Sequence, residues 1–352
     1  MDGIFYADSG GNLQGRGYTW SGGGGGGGQT KFGFNYNSDT SYQTIAGRKS
    51  MFNNRVPCVR IYNTGLMPST FSISQNIAQE KCASWSFKEG NDLAGLAAGN
   101  YNSSMTSWLN GIPSGWTIYW TFHHEVNSST GLDPGMDATS YKQVYHQMRT
   151  CLNNANLSTG TNVFITCNFM SYGLSGFQQS WVPPRADCDI MTFDAYGNPG
   201  SVGTSSTTHN KYGPSTAEGG DSALGRGYAD TYPLPSDRLA GMFSIIDTAG
   251  YADSWGLLEV NAPLRNWDAD ESGRAQFLQD YINLCMAPPM TGSVPPKIML
   301  MWEATSGANW NQAFGYNTDT TTTPQGTNKV YASNPANSPC WDVWYPYMTG
   351  SP

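Results

Sequence analysis

A (β/α)8 barrel, an α/β fold behind a short glycine-rich arm, is predicted by three features of this 352-residue chain. Short runs of apolar or β-branched residues recur eight times. Segments with helical apolar spacing lie between several of them. Many of the runs are apolar on consecutive residues, as in strands of a parallel sheet covered on both faces. Strand–helix alternation repeated eight times closes into a barrel, and such barrels commonly take about 250 residues as one domain. No internal sequence repeat accompanies the pattern.

Residues 1–30 read as an arm. Ser21 is followed by seven glycines, Gly22 to Gly28. A glycine run serves as a flexible tether or as a packed glycine-only strand, so the domain boundary is set there. The barrel then spans 31–352. Its strands are predicted at 31–36 (KFGFNY), 57–62 (PCVRIY), 82–88 (CASWSFK), 117–122 (TIYWTF), 162–168 (NVFITCN), 189–195 (DIMTFDA), 255–260 (WGLLEV) and 297–302 (KIMLMW). The clearest helix is 140–154, with Tyr141, Val144, Tyr145, Met148 and Leu152 on one stripe. Helices are also predicted at 236–249 and 270–286, with a shorter one at 103–109. Long insertions rich in Gly, Thr, Ser and Asn follow strand six (197–235) and strand eight (304–339). Loops after strand carboxyl ends build the active face of a barrel, so both insertions are placed to shape a cleft.

Only 12% of the chain is charged, and the net charge is −8. No basic run occurs, which argues against nucleic-acid binding by bulk electrostatics. High aromatic content argues against disorder. No apolar run approaches about 18 residues, so membrane insertion is not expected. The seven cysteines include no CxxC pair. They read as buried thiols, with one bridge left open. Met1-Asp2-Gly3-Ile4 has no basic stretch and no long apolar run, so no export signal is expected.

The sharpest local signal is Thr121-Phe122-His123-His124-Glu125, which puts Glu125 at the carboxyl end of strand four. A carboxylate there faces the barrel mouth, where catalytic groups sit. A helix-capping role is the plainer alternative. The zinc motif HExxH fails, because Ser128 stands four positions beyond His124. Glu259, in Trp255-Gly256-Leu257-Leu258-Glu259, ends strand seven in the same way. Two carboxylates across one barrel mouth suit retaining glycoside hydrolysis, one as acid/base and one as nucleophile, about 5–5.5 Å apart. The acid needs apolar walls, which Trp120 and Phe122 offer; the nucleophile needs donors. Arg60 on strand two is a candidate donor, with a structural ion pair as the alternative. Glu303 and Asp194 are read as supporting carboxylates. Trp302 and then Trp310 are the favoured sugar-stacking rings. His146 and His209 lack ligand-like spacing, and no GxSxG or GxxxxGK[ST] is present; no metal or cofactor is expected.

The FHHE sequence and the second Glu after strand seven resemble the retaining barrel glycosidases of the 4/7 clan. Within that clan the chain is most similar to family 26-type β-mannanases and their actinobacterial and phage relatives. The resemblance implies that Glu125 is the acid/base and Glu259 the nucleophile. It implies that His124 precedes the acid as a sugar contact, that Tyr196 hydrogen-bonds the nucleophile, and that Trp302 floors the sugar site. Val126 stands where the family frequently has Pro, and Val260-Asn261 where it has an aromatic and Gly. A retaining endo-glycosidase acting on a cell-surface or plant-type polysaccharide is the leading expectation. The other is a glycan-binding virion protein with weak or no hydrolysis on the same barrel. Phage tail proteins, notably those of actinobacteriophages, often pair polyglycine with such domains. That setting makes the expected partners a host-envelope glycan, other tail proteins or further copies of the chain, outside the cell and without an export signal.

Overall fold

The computed structural model describes residues 6–7, 13–14, 30–35, 58–63, 65–71, 81–88, 90–127, 136–171, 179–197, 210–212, 232–262, 272–302 and 339–349. Eight parallel strands close a barrel in chain order: β1 (Lys31–Asn35), β2 (Val59–Tyr62), β3 (Cys82–Phe87), β4 (Thr117–Phe122), β5 (Asn162–Met170), β6 (Ile190–Tyr196), β7 (Trp255–Asn261) and β8 (Ile298–Met301). β6 pairs with β7, and β8 with β1, which completes the ring. This is the (β/α)8 fold that the alternation predicts. The glycine tract lies outside the described residues. Ahead of it, Tyr6–Ala7 pairs antiparallel with Leu13–Gln14.

The strands are buried on both faces. One set of side chains meets the outer helices, while Cys58, Cys82, Tyr119, Ile190, Leu258, Ile298 and Leu300 form a separate interior cluster. The interior is thus a packed core. β1 approaches β2 closely at Gly33, where any Cβ would overlap the Cys58 carbonyl.

Between β3 and β4 stand α1 (Leu93–Ala97) and α2 (Asn102–Asn110). After β4 comes α3 (Ala138–Asn154), starting two residues earlier than its apolar stripe predicts. The cause is Asp137, whose carboxylate accepts from the Thr139 and Ser140 amides at 2.8 and 3.0 Å. The Tyr145 hydroxyl of α3 lies 3.0 Å from the carbonyls of both Phe122 and Thr166, tying the helix to β4 and β5. α4 (Pro235–Thr248) follows β6 and starts on Pro235, whose fixed φ suits a first helical position. α5 (Ser272–Met286) follows β7. α6 (Pro339–Thr349) packs Trp344 and Tyr347 on Phe32 of β1. No helix among the described residues is long and apolar enough to cross a membrane.

Trp108, Trp116, Trp120, Trp255 and Trp344 are fully buried. Each contributes several kilocalories of burial on the scale of about 25 cal/mol per Å². Trp255 belongs to the core, and its indole N–H donates to the Val294 carbonyl at 2.8 Å. All seven cysteines are free and buried.

Candidate active site

Three carboxylates converge at the carboxyl rim. Glu125, Asp194 and Glu259 each offer an oxygen, and these atoms lie within 4.8 Å of one another. Each arrives by a different device.

Glu259 depends on a bulge. In the pairing of β7 with β6, Leu257 faces Phe193 and Glu259 faces Asp194, so two residues of β7 span one step of β6. A bulge re-aims the side chain that follows it. Leu257 packs outward and Leu258 inward. Strict alternation would send Glu259 outward; the extra residue keeps it inside with Asp194.

Glu125 depends on a strained turn. His123 and Glu125 have φ of 46° and 60°, in the left-handed region. Such values are uncommon without glycine and cost on the order of 1–3 kcal/mol each. The surroundings hold them. The His123 amide donates to the Phe87 carbonyl at 2.8 Å. The Glu125 amide donates to the Asn168 carbonyl at 3.1 Å and lies 3.3 Å from Asn168 Oδ1. Two bonds, Asn127 Nδ2 to the Met170 carbonyl (2.8 Å) and the Met170 amide to Asn127 Oδ1 (2.7 Å), strap the turn to β5. Val126, where proline is frequent in the resembling family, is fully buried.

Arg60 is the hub. Its Nη1 donates to Glu259 Oε1 at 2.5 Å and to Asp194 Oδ1 at 2.8 Å, and its Nη2 to Asp194 Oδ2 at 3.3 Å. Both readings of Arg60, nucleophile donor and structural ion pair, therefore describe one arrangement. Tyr62, two residues on, donates its hydroxyl to Glu259 Oε1 at 2.6 Å. Tyr62 and Asn168 were not picked out from sequence. Asn168 Nδ2 donates to Asp194 Oδ1 at 3.0 Å.

The charges divide unequally. Burial pushes the Glu125 carboxyl up to about 8, helped by the charge of Asp194 and a hydrogen bond to it, and opposed by Arg60. Burial also raises Asp194, while Arg60 and the bonds from Asn168 and Glu125 lower it. The Glu125–Asp194 bond thus raises one carboxyl and lowers the other, as expected when the proton sits on Glu125. Burial, with the charges of Asp194 and Glu125, raises Glu259 well above the usual carboxylate range, against Arg60 and the Tyr62 bond. Both donors meet the same oxygen, and the form they match is the carboxylate. Three carboxyls facing one guanidinium cannot all be ionised cheaply, and the shared proton falls on the one without a direct cation. The triad also has the spacing of a cation site, but Arg60 already supplies the counter-charge to two of its members.

Aromatic rings stand beside the carboxylates. Trp302, half-buried just after β8, lies edge-on to Tyr62 and Tyr196 at 6.1 and 6.4 Å between ring centres. His124 lies 5.3 Å from the Tyr62 ring. Burial, then the charges of Arg60 and Lys88, hold His124 well below the usual imidazole range, so it is neutral near pH 7. Tyr196, expected as the nucleophile's partner, stands next to Trp302; the tyrosine bond described above comes from Tyr62. Trp310 and Glu303 lie outside the described residues. The site therefore joins Glu125, Glu259, His124, Arg60, Tyr196, Trp302 and the supporting carboxylate Asp194 of the sequence expectation with Tyr62 and Asn168.

Removing Arg60 leaves two buried carboxylates without their cation. Arg60→Ala is expected to lower unfolding free energy by about 3–5 kcal/mol in denaturant titrations at pH 7. Asn168→Ala strips a donor from buried Asp194, and a loss of about 1–3 kcal/mol is expected in the same measurement.

No protein-family model matches the chain, nor does any curated protein. Solved structures do. A GH5-4 broad specificity endoglucanase from Bacteroides salanitronis superposes with TM-score 0.50 at 13% identity, covering 90% of this chain and 93% of its own. The catalytic domain of a Bacillus sp. JAMB-750 GH26 endo-β-1,4-mannanase gives 0.45 at 11% identity, covering 78% and 77%. A fungal β-1,4-galactanase gives 0.43 at 12% identity, covering 77% and 83%. The shared fold is the (β/α)8 barrel. At these identities the likeness is one of architecture, and the chemistry is argued from the site itself.

Proposed function

We propose that the protein is a retaining endo-glycoside hydrolase acting on a polysaccharide. The observation that carries this reading is the approach of Glu125 and Glu259 oxygens to within 4.8 Å, with Glu259, itself raised by burial, clasped by two donors and Glu125 by neither. Retaining enzymes place their carboxyls about 5–5.5 Å apart, whereas inverting ones leave roughly 6.5–9.5 Å for a water.

Glu259 attacks the anomeric carbon, and the bond to the leaving oxygen breaks as Glu125 gives that oxygen its proton. The covalent glycosyl-enzyme is then hydrolysed by water, whose proton returns to Glu125. Arg60 and Tyr62 keep Glu259 ionised and aimed. Asp194 takes the hydrogen bond of the protonated Glu125 in the resting site. His124 and the Trp302 ring are the proposed sugar contacts, the ring through stacking on apolar sugar faces.

The proposed partner is a polysaccharide or a host-envelope glycan met outside the cell, on a phage particle. This rests on the weakly charged composition and the polyglycine tract. The test is reducing-end release from a panel of plant and bacterial-envelope polysaccharides, with proton NMR of the first product. Release of a product that keeps the substrate's anomeric configuration is expected. An inverted first product would refute retention, and glycan binding without release would leave a binding protein.

A further inference from the structure

Cys58 immediately precedes β2, and Cys82 opens β3. Val59 pairs with Ala83, and Arg60 with Ser84, so the two cysteines are neighbours one step below in the same parallel register. Both side chains belong to the interior cluster and are essentially unexposed. Their sulfurs lie 2.8 Å apart. Cys167 and Cys188 also meet through their side chains, but their sulfurs are directed at backbone carbonyls, Cys188 at those of Ile165 and Ile190 and Cys167 at that of Ile190. Adjacent strands lie about 4.7–4.9 Å apart, inside the Cα separation of roughly 4.4–6.8 Å that a disulfide needs. The register thus puts the two sulfurs within reach of a bond.

We propose that Cys58 and Cys82 form an inter-strand disulfide in the barrel interior. The inference is independent of the glycosidase reading. With a disulfide oxidant such as oxidised glutathione, both cysteine S–H bonds break and the Cys58–Cys82 bond forms. The oxidant's S–S bond is reduced to two thiols, which take up the two protons and the two electrons. Exchange needs a thiolate. Burial, with Cys82 alongside, pushes the Cys58 thiol up, so the folded barrel exchanges slowly and the bond forms while the chain folds. Once formed, it joins β2 to β3 two residues before Arg60, on the face that carries Arg60 into the site.

The test refolds the full chain from denaturant, once in a reduced/oxidised glutathione mixture and once in dithiothreitol. The products are unfolded in N-ethylmaleimide, digested and read by mass spectrometry. A peptide pair joined through Cys58 and Cys82, two hydrogens lighter than the sum of its parts, is expected only from the glutathione arm. The other five cysteines are expected to be alkylated, with a thermal midpoint a few degrees above the dithiothreitol product. Recovery of both cysteines alkylated from the glutathione arm would overturn the proposal. So would Cys82 pairing equally well with another cysteine in Cys58→Ser. If the chain does not refold, the same digest is run on folded protein held for hours with diamide, and the same two outcomes decide.

Discussion

Glu259→Ala is expected to lose hydrolysis of an activated aryl glycoside by about four orders of magnitude or more, the scale seen when a covalent nucleophile is removed. Added azide should restore turnover. The small anion enters the space vacated by the carboxylate, attacks from the same face, and leaves a glycosyl azide of configuration opposite to the substrate. The loss has two parts. The attacking oxygen is gone, and Arg60 loses one of the two carboxylates it clasps. Glu259→Gln keeps the volume and the donors' partner but not the charge, so it separates these parts. Wild-type turnover in Glu259→Ala, measured by aryl release, would sink the nucleophile assignment.

Glu125→Gln should divide substrates by leaving group. Poor leaving groups need the proton, so their cleavage falls by about 10²–10⁴. An activated phenolate leaves without it and should be spared at the first step. The pH profile gives a second reading. Glu125 is held up to about 8, so wild-type kcat/KM should fall as pH rises through that region, and the limb should vanish in Glu125→Gln. The same shift links to stability. The folded chain keeps a proton on Glu125 that the unfolded chain releases near its ordinary value of 4.5. Stability from this group is therefore fully present below that value and is lost as pH climbs to about 8. Relative to wild type, the thermal midpoint of Glu125→Gln should gain between pH 5 and pH 8. An equal loss on both leaving-group classes, or an unchanged alkaline limb, would argue against the acid role.

The barrel was legible because parallel strands buried on both faces show as unbroken apolar runs, and all eight runs became strands. Helices were read where a stripe repeats, as in Tyr141, Val144, Tyr145 and Met148. α1 escaped because it is five residues long, and α6 because Pro346 lies inside it. In the site, Glu125 and Glu259 stood out as rare charges ending apolar runs. Tyr62 did not: a tyrosine ending a strand looks like any half-buried aromatic, and its partner is 197 residues away. Asn168 resembles any buried amide until its contacts with Glu125, Thr192 and Asp194 are known. Asp194 was read as a supporting carboxylate, yet it receives both guanidinium nitrogens of Arg60. The left-handed backbone at His123 and Glu125 has no compositional trace, since neither residue is a glycine.

The irregular step at Leu258 has a consequence for anyone copying this scaffold. A design that regularised β7 into an ideal ladder would improve its hydrogen-bond geometry while rotating Glu259 toward the helical shell. Arg60 would keep only Asp194, and an acid would be forced among apolar side chains. The catalytic arrangement thus hangs on a single-residue counting mismatch between neighbouring strands, which makes insertions or deletions in 257–259 far more damaging than most substitutions there.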